Sequence, residues 1–260
     1  MSRIFFQRDV GESSNWSFDH LTDDSRDVGR RTLEGVGDLH AQRVHKTAPL
    51  QGCTPALERQ QILAKLLPST GLLLDVGCWD GSFQQFLQGI NYIGIDINRQ
   101  PLEKARLKKL DVIVASCDFL PFRSELFDAC SLIEVIEHLY SPEKVVREIH
   151  RILKPSGVFV LATPNFVNFV DRINVLLGKN VAPMDHQHIR FFTWRTLNQF
   201  LRKQGFAFEV RRTWFLPFPA RRLTSKYQSW RGLMKRAARL FPNFDECLLG
   251  RWRKVDGKRS

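Results

Sequence analysis

The chain has 260 residues, 43% of them hydrophobic, and a net charge of +12. That is length and apolar content for one large α/β domain, and it excludes global disorder. No apolar run reaches membrane-spanning length, the opening MSRIFFQRDVGE lacks the apolar core of a secretion signal, and five scattered cysteines form no CxxC pair, which together predict a cytoplasmic protein with reduced thiols. The charge is uneven. Residues 190–260 hold 18 Lys/Arg against 4 Asp/Glu, while the first 189 sum to −2. A basic C-terminal third suits an anionic partner (phosphorylated lipid or glycan, membrane surface, or RNA) or serves as a solubilising face.

In chain order, residues 1–53 are polar and poorly periodic and read as an N-terminal extension or cap; 54–260 read as one domain. Thr54-Pro55 opens a helix with Leu57, Ile62, Leu63, Leu66 and Leu67 on its apolar face, stopped by Pro68 and Gly71. Strands and helices then alternate: strand Leu72–Val76, a helix beginning over Phe83–Leu87, strand Asn91–Asp96, a helix around Leu102–Leu107, and strand Val112–Ala115. Strand Phe127–Ile133, helix Pro142–Leu153, a turn at Lys154–Gly157 and strand Val158–Ala162 follow. Near-continuous apolar strands separated by helices predict a doubly wound parallel sheet covered on both faces. Beyond it the expectations are a helix over Phe166–Leu177, a loop over Gly178–His188, a helix over Thr193–Lys203 closed by Gly205, and last strands Ala207–Thr213 and Cys247–Arg253. A basic amphipathic helix over Gln228–Leu240 would either pack on the sheet or lie on an anionic membrane.

Asp75-Val76-Gly77-Cys78-Trp79-Asp80-Gly81 lies between the first strand and the next helix, where glycines allow a tight turn and close approach of a ligand. Asp96 ends the second strand 19 residues after Gly77, where a carboxylate can accept hydrogen bonds from both ribose hydroxyls of a nucleoside. Ser116-Cys117-Asp118-Phe119 follows the third strand and offers an acid and an aromatic to an adenine. Three successive strand tips thus suit a nucleoside, which fits a nicotinamide cofactor as well as others.

The stretches LLLDVGCWDGSF, YIGIDIN, CDFLPF, FDACSLIEVIEHL, RILKPSGVFVLATPN and HIRFFT with LRKQGF, in this order, resemble the class I methyltransferase superfamily from about Leu72 to Gly205. The resemblance implies a Rossmann-like seven-stranded sheet with the last strand antiparallel, and S-adenosylmethionine as cofactor. It implies that Asp75, Gly77, Cys78, Gly81, Asp96, Ile97, Asp118, Phe119 and Glu134 contact or shape the cofactor site. Trp79 stands where the family most often has glycine; it can follow the turn if its φ stays below zero.

Methyl transfer needs the acceptor aligned and sometimes a proton removed. Candidate acid–base groups are Glu134, Glu137, His138, Asp185, His186 and His188, with Glu137, His138 and His188 foremost. In the ubiquinone-pathway O-methyltransferases and the small-RNA 2′-O-methyltransferases a similar Glu-x-x-Glu-His segment holds a divalent metal. By that resemblance Glu134, Glu137, His138 and His188 would be the ligands, although many members that use no metal carry the same segment. The readings left open are O-methylation of a small-molecule, lipid or glycan acceptor that is anionic, RNA 2′-O-methylation, and a catalytically silent cofactor-binding protein.

Overall fold

Seven strands form among the described residues: Leu72–Val76 (β1), Asn91–Asp96 (β2), Val112–Val114 (β3), Phe127–Ile133 (β4), Leu153–Pro164 (β5), Phe206–Arg212 (β6) and Cys247–Lys254 (β7), with β-branched residues densest in β3. In the computed structural model they form one sheet of order β3-β2-β1-β4-β5-β7-β6. Residues 54–168, 172, 175–178, 188–212 and 245–255 are described. Strands β1 to β5 pair in parallel, whereas β7 is antiparallel to both β5 and β6, with Val158 opposite Arg253 and Pro164 opposite Cys247. The fold is the Rossmann-like doubly wound sheet expected, last strand antiparallel. This topology gathers the C-terminal ends of β1 to β5 and the start of β7 on one edge, where open α/β sheets bind ligands.

Among the described residues four helices cover the sheet: Thr54–Ala64 (α1), Arg99–Leu107 (α2), Pro142–Ile152 (α3) and Trp194–Lys203 (α4). On one face α3 buries Val145, Val146, Ile149 and Ile152 completely, and α4 adds Trp194, Leu197 and Leu201. On the other, Leu63 and Leu66 of the α1 region join Phe83 and Leu102 against Leu73 and Ala129. Helix α4 starts at a reciprocal cap in which Thr196 N–H donates to Thr193 Oγ1 at 3.2 Å and Thr193 N–H donates to Thr196 Oγ1 at 2.9 Å.

Two local expectations are corrected. The helix read from Phe83 is one 3₁₀ segment, Ser82–Phe86, followed by extended Leu87. Gly89 turns the chain at φ 74 against the Ser69 carbonyl, and β2 already begins at Asn91, so no room remains for helical turns. The Lys154–Gly157 turn is a bulge inside β5: Leu153 pairs Phe127 and Val158 pairs Ala129, with Ser156 at φ 60. The N-terminal extension, residues 169–171 and 173–174 of the helix read over 166–177, Asp185, His186 and the basic helix over 228–240 lie outside the described residues. Among the described residues no helix is long and apolar enough to cross a membrane.

Candidate active site

At the tip of β1 the backbone reverses so tightly that Gly77 and Cys78 both donate to the Ile95 carbonyl of β2, at 2.8 and 2.9 Å. Gly77 has φ 74, and a Cβ there would lie 2.4 Å from Val135 Cγ2, so the turn and the segment after β4 touch and only glycine fits between them. Cys78 contributes its backbone alone; burial pushes its thiol far up and leaves it inert. Trp79 does not keep φ below zero. It stands in the left-handed region at φ 51, held there because its N–H donates to Asp96 Oδ2 at 2.9 Å. A non-glycine residue pays about 1 kcal/mol for this conformation, so Trp79→Gly should be more stable than Trp79→Ala by about that amount in chemical denaturation. Equal stabilities would mean that the loop relaxes when the indole is removed.

Beneath the loop Asp75 is 3% exposed, its carboxylate accepting from Ser131 Oγ at 2.7 Å and Tyr92 Oη at 2.9 Å. It therefore shapes the loop from below. Burial raises its pKa to about 6, against the two hydroxyl donors that pull it down. Because the folded value lies above the ordinary 3.8, the proton is held more tightly in the folded state. Asp75 thus contributes most at low pH, and that contribution fades as pH rises from about 4 to about 6, by about 3 kcal/mol in all. Asp75→Asn should flatten this part of the stability profile, so that the variant gains on the wild type between pH 4 and pH 7; a constant difference across that range would rule the assignment out.

Asp96 joins two strand tips. Its Oδ2 takes the Trp79 N–H and its Oδ1 takes the Asn98 N–H at 2.8 Å, with a further backbone bond from Ile97, yet each carboxylate oxygen keeps acceptor capacity for a ribose diol. Asn98 is buried, caps α2 through Oδ1, and leaves Nδ2 unpartnered. At the tip of β3, Asp118 N–H donates to Ser116 Oγ at 3.2 Å, and Phe119 is 73% exposed with the Lys144 ammonium 4.3 Å from its ring centre. Gly81 turns at φ 69 against Leu110. A glycine cradle, diol acceptor and exposed aromatic edge at three neighbouring tips fit S-adenosylmethionine.

Beyond β4 the chain bends at Glu134, φ 55, whose N–H donates to the Ala162 carbonyl and whose Oε1 is buried without a partner. Glu137 is 2% exposed; its Oε2 accepts from Thr163 Oγ1 of β5 at 3.0 Å and its Oε1 is buried and unpartnered. Burial, reinforced by the charge of Glu134, raises the Glu137 pKa well above the usual carboxylate range. The strap at 188–190 is fastened here: Ile189 and Arg190 N–H groups both donate to the Glu137 carbonyl at 3.0 Å, and the Arg190 guanidinium donates to the Tyr140 carbonyl at 2.6 Å. One donor atom each from Glu137, His138 and His188 lie within 4.8 Å of one another, a set that could hold a metal ion, and the imidazole centres are 4.8 Å apart. Glu134 is outside that set.

Several residues at this edge carry no local sequence signal. Thr163 is presented by β5. Arg59 comes from α1, its guanidinium donating to Cys247 Sγ at 3.7 Å and its charge pulling against the upward shift of Glu137. Asn165 and Asp245 meet where β7 returns antiparallel along β5. Of the basic C-terminal third, Arg251 and Arg253 are paired with Glu209 and the buried Lys254 ammonium donates to the Leu153 carbonyl at 2.8 Å. These three charges are therefore structural.

A family model described as a methyltransferase domain matches residues 51–209. The chain is similar to the ubiquinone biosynthesis O-methyltransferase of Pseudomonas aeruginosa, 35% identical over 103 residues, 36% of this chain and 44% of that protein. It is also similar to the tRNA (carboxymethyluridine(34)-5-O)-methyltransferase of Arabidopsis thaliana, 36% identical over 141 residues, 51% of this chain and 35% of that one. These matches span well under two thirds of the relatives' own lengths. In fold it resembles an S-adenosylmethionine-dependent methyltransferase from Mesorhizobium loti, with TM-score 0.55 and 19% identity over 74% of this chain and 96% of that one. The chain belongs to the methyltransferase-domain family and shares the fold of S-adenosylmethionine-dependent methyltransferases.

Proposed function

We propose that the chain methylates a hydroxyl oxygen of a small-molecule, lipid or glycan acceptor, in a reducing, cytoplasmic setting. The observation that supports this reading is the contact of Val135, two residues before Glu137, with the Gly77 turn, together with the unpartnered Glu137 Oε1. Bound S-adenosylmethionine supplies a methyl group already activated for in-line displacement. What remains for the protein is to orient the acceptor and take its proton, a task this reading assigns to Glu137 Oε1, in surroundings that raise its proton affinity. His138 and His188 flank it, and the Ile189 and Arg190 N–H groups hold the intervening carbonyl still.

The grouping of Glu137, His138 and His188 favours a second reading, in which these residues hold a divalent ion that lowers the pKa of the acceptor hydroxyl. The basic C-terminal residues and the tRNA-modifying relative make RNA the rival acceptor. One experiment separates these: radiolabelled S-adenosylmethionine offered to lipid, glycan, small-molecule and RNA fractions, with and without EDTA. Label is expected in a non-RNA fraction. Label in RNA alone overturns the acceptor class, loss of turnover in EDTA establishes the metal, and full turnover in EDTA dismisses it.

A further inference from the structure

Asp245 is a fully buried carboxylate with both oxygens unpartnered, whereas the other fully buried acids among the described residues, Asp75 and Glu137, each keep at least one hydroxyl donor. Its backbone is fixed. Asn165, two residues past the Glu137-bonded Thr163, donates through Nδ2 to the Asp245 carbonyl at 2.7 Å and through its N–H to the Glu246 carbonyl at 2.8 Å. Asp245 therefore lies on the same edge of the sheet as Glu137, with β5 between them. The orphaned groups on this part of the edge are all acceptors: Glu134 Oε1, Glu137 Oε1 and both Asp245 oxygens. An uncompensated buried carboxylate costs several kcal/mol, which a fold does not keep for packing. Four unfilled acceptor oxygens and two orphaned carboxylate neighbours match a ligand that brings donors and positive charge.

We propose that Asp245 is an acceptor-recognition residue whose carboxylate receives a protonated amine of the molecule being methylated. The proposal rests on the methyltransferase reading above and narrows its acceptor to one bearing an ammonium group near the reacting hydroxyl. Burial pushes the Asp245 pKa up to about 7, with the Arg211 charge pulling the other way, so the carboxylate awaits a cation that the polypeptide does not supply in full. An ammonium bonded there restores an ordinary charge-assisted pair.

The test uses the full-length wild type and Asp245→Asn, each saturated with S-adenosylhomocysteine. Thermal denaturation is followed with tens of millimolar ethanolamine, ethylene glycol or glycolate, which share a skeleton and differ in charge. Ethanolamine alone is expected to raise the melting temperature of the wild type, and Asp245→Asn is expected to lose that response while melting no lower than the wild type at pH 8. Equal responses to the three probes, a response that survives in Asp245→Asn, or a variant that melts clearly lower overturns the proposal. In the labelling assay, product should be retained on a cation exchanger and its yield should fall about tenfold or more in Asp245→Asn with S-adenosylhomocysteine affinity unchanged. Product that is neutral or anionic overturns this inference and leaves the methyltransferase reading standing. An Asp245-dependent ethanolamine response in a protein that labels no fraction does the reverse.

Discussion

Glu137→Gln is expected to lower turnover about 100-fold or more while leaving S-adenosylhomocysteine affinity unchanged. The amide keeps the side-chain volume and can still accept from Thr163 Oγ1, so the fold survives. Removing a carboxylate that is buried beside Glu134 should even raise the melting temperature, because the charged pair opposes itself. The combination of lost turnover, intact cofactor affinity and preserved stability identifies a proton-handling role; steady-state kinetics with isothermal titration provide both numbers. Retained turnover would remove Glu137 from the chemistry, and lost cofactor affinity would make it part of the cofactor pocket instead.

Gly77→Ala is expected to weaken S-adenosylhomocysteine binding at least about tenfold. Two effects add: alanine at φ 74 costs about 1 kcal/mol, and its Cβ would meet Val135 Cγ2 at 2.4 Å. The second is separable. Val135→Ala in the same chain removes the clashing methyl and should recover part of the affinity, leaving only the backbone cost. A double variant no better than Gly77→Ala would show that the Val135 contact does not limit the turn.

β2 and β4 were legible because each is a largely apolar run that begins and ends where hydropathy places it. The helix after β1 was not. Phe83 and Leu87 have the spacing of one helical turn, and nothing at those positions announces that Gly89 must turn against the Ser69 carbonyl. Trp79 misleads in the same way, since its positive φ is imposed by a carboxylate 17 residues on. The cofactor motifs lie at strand tips and could be read locally. Thr163, Arg59, Asn165 and Asp245 could not: the Asn165–Asp245 bond spans 80 residues, and the Arg59–Cys247 contact spans 188. They meet only because β7 doubles back along β5 and α1 crosses under it.

The two N–H groups of Ile189 and Arg190 on one carbonyl of Glu137 join a strap and a turn that are far apart in the chain. Neither can be exchanged alone. Grafting residues 188–192 from a relative with a different acceptor would shift the carboxylate together with the wall around it, so a change of substrate range here calls for replacing 134–140 and 188–192 as one cassette. On the proposed reading, substrate choice and reactivity are thereby mechanically joined.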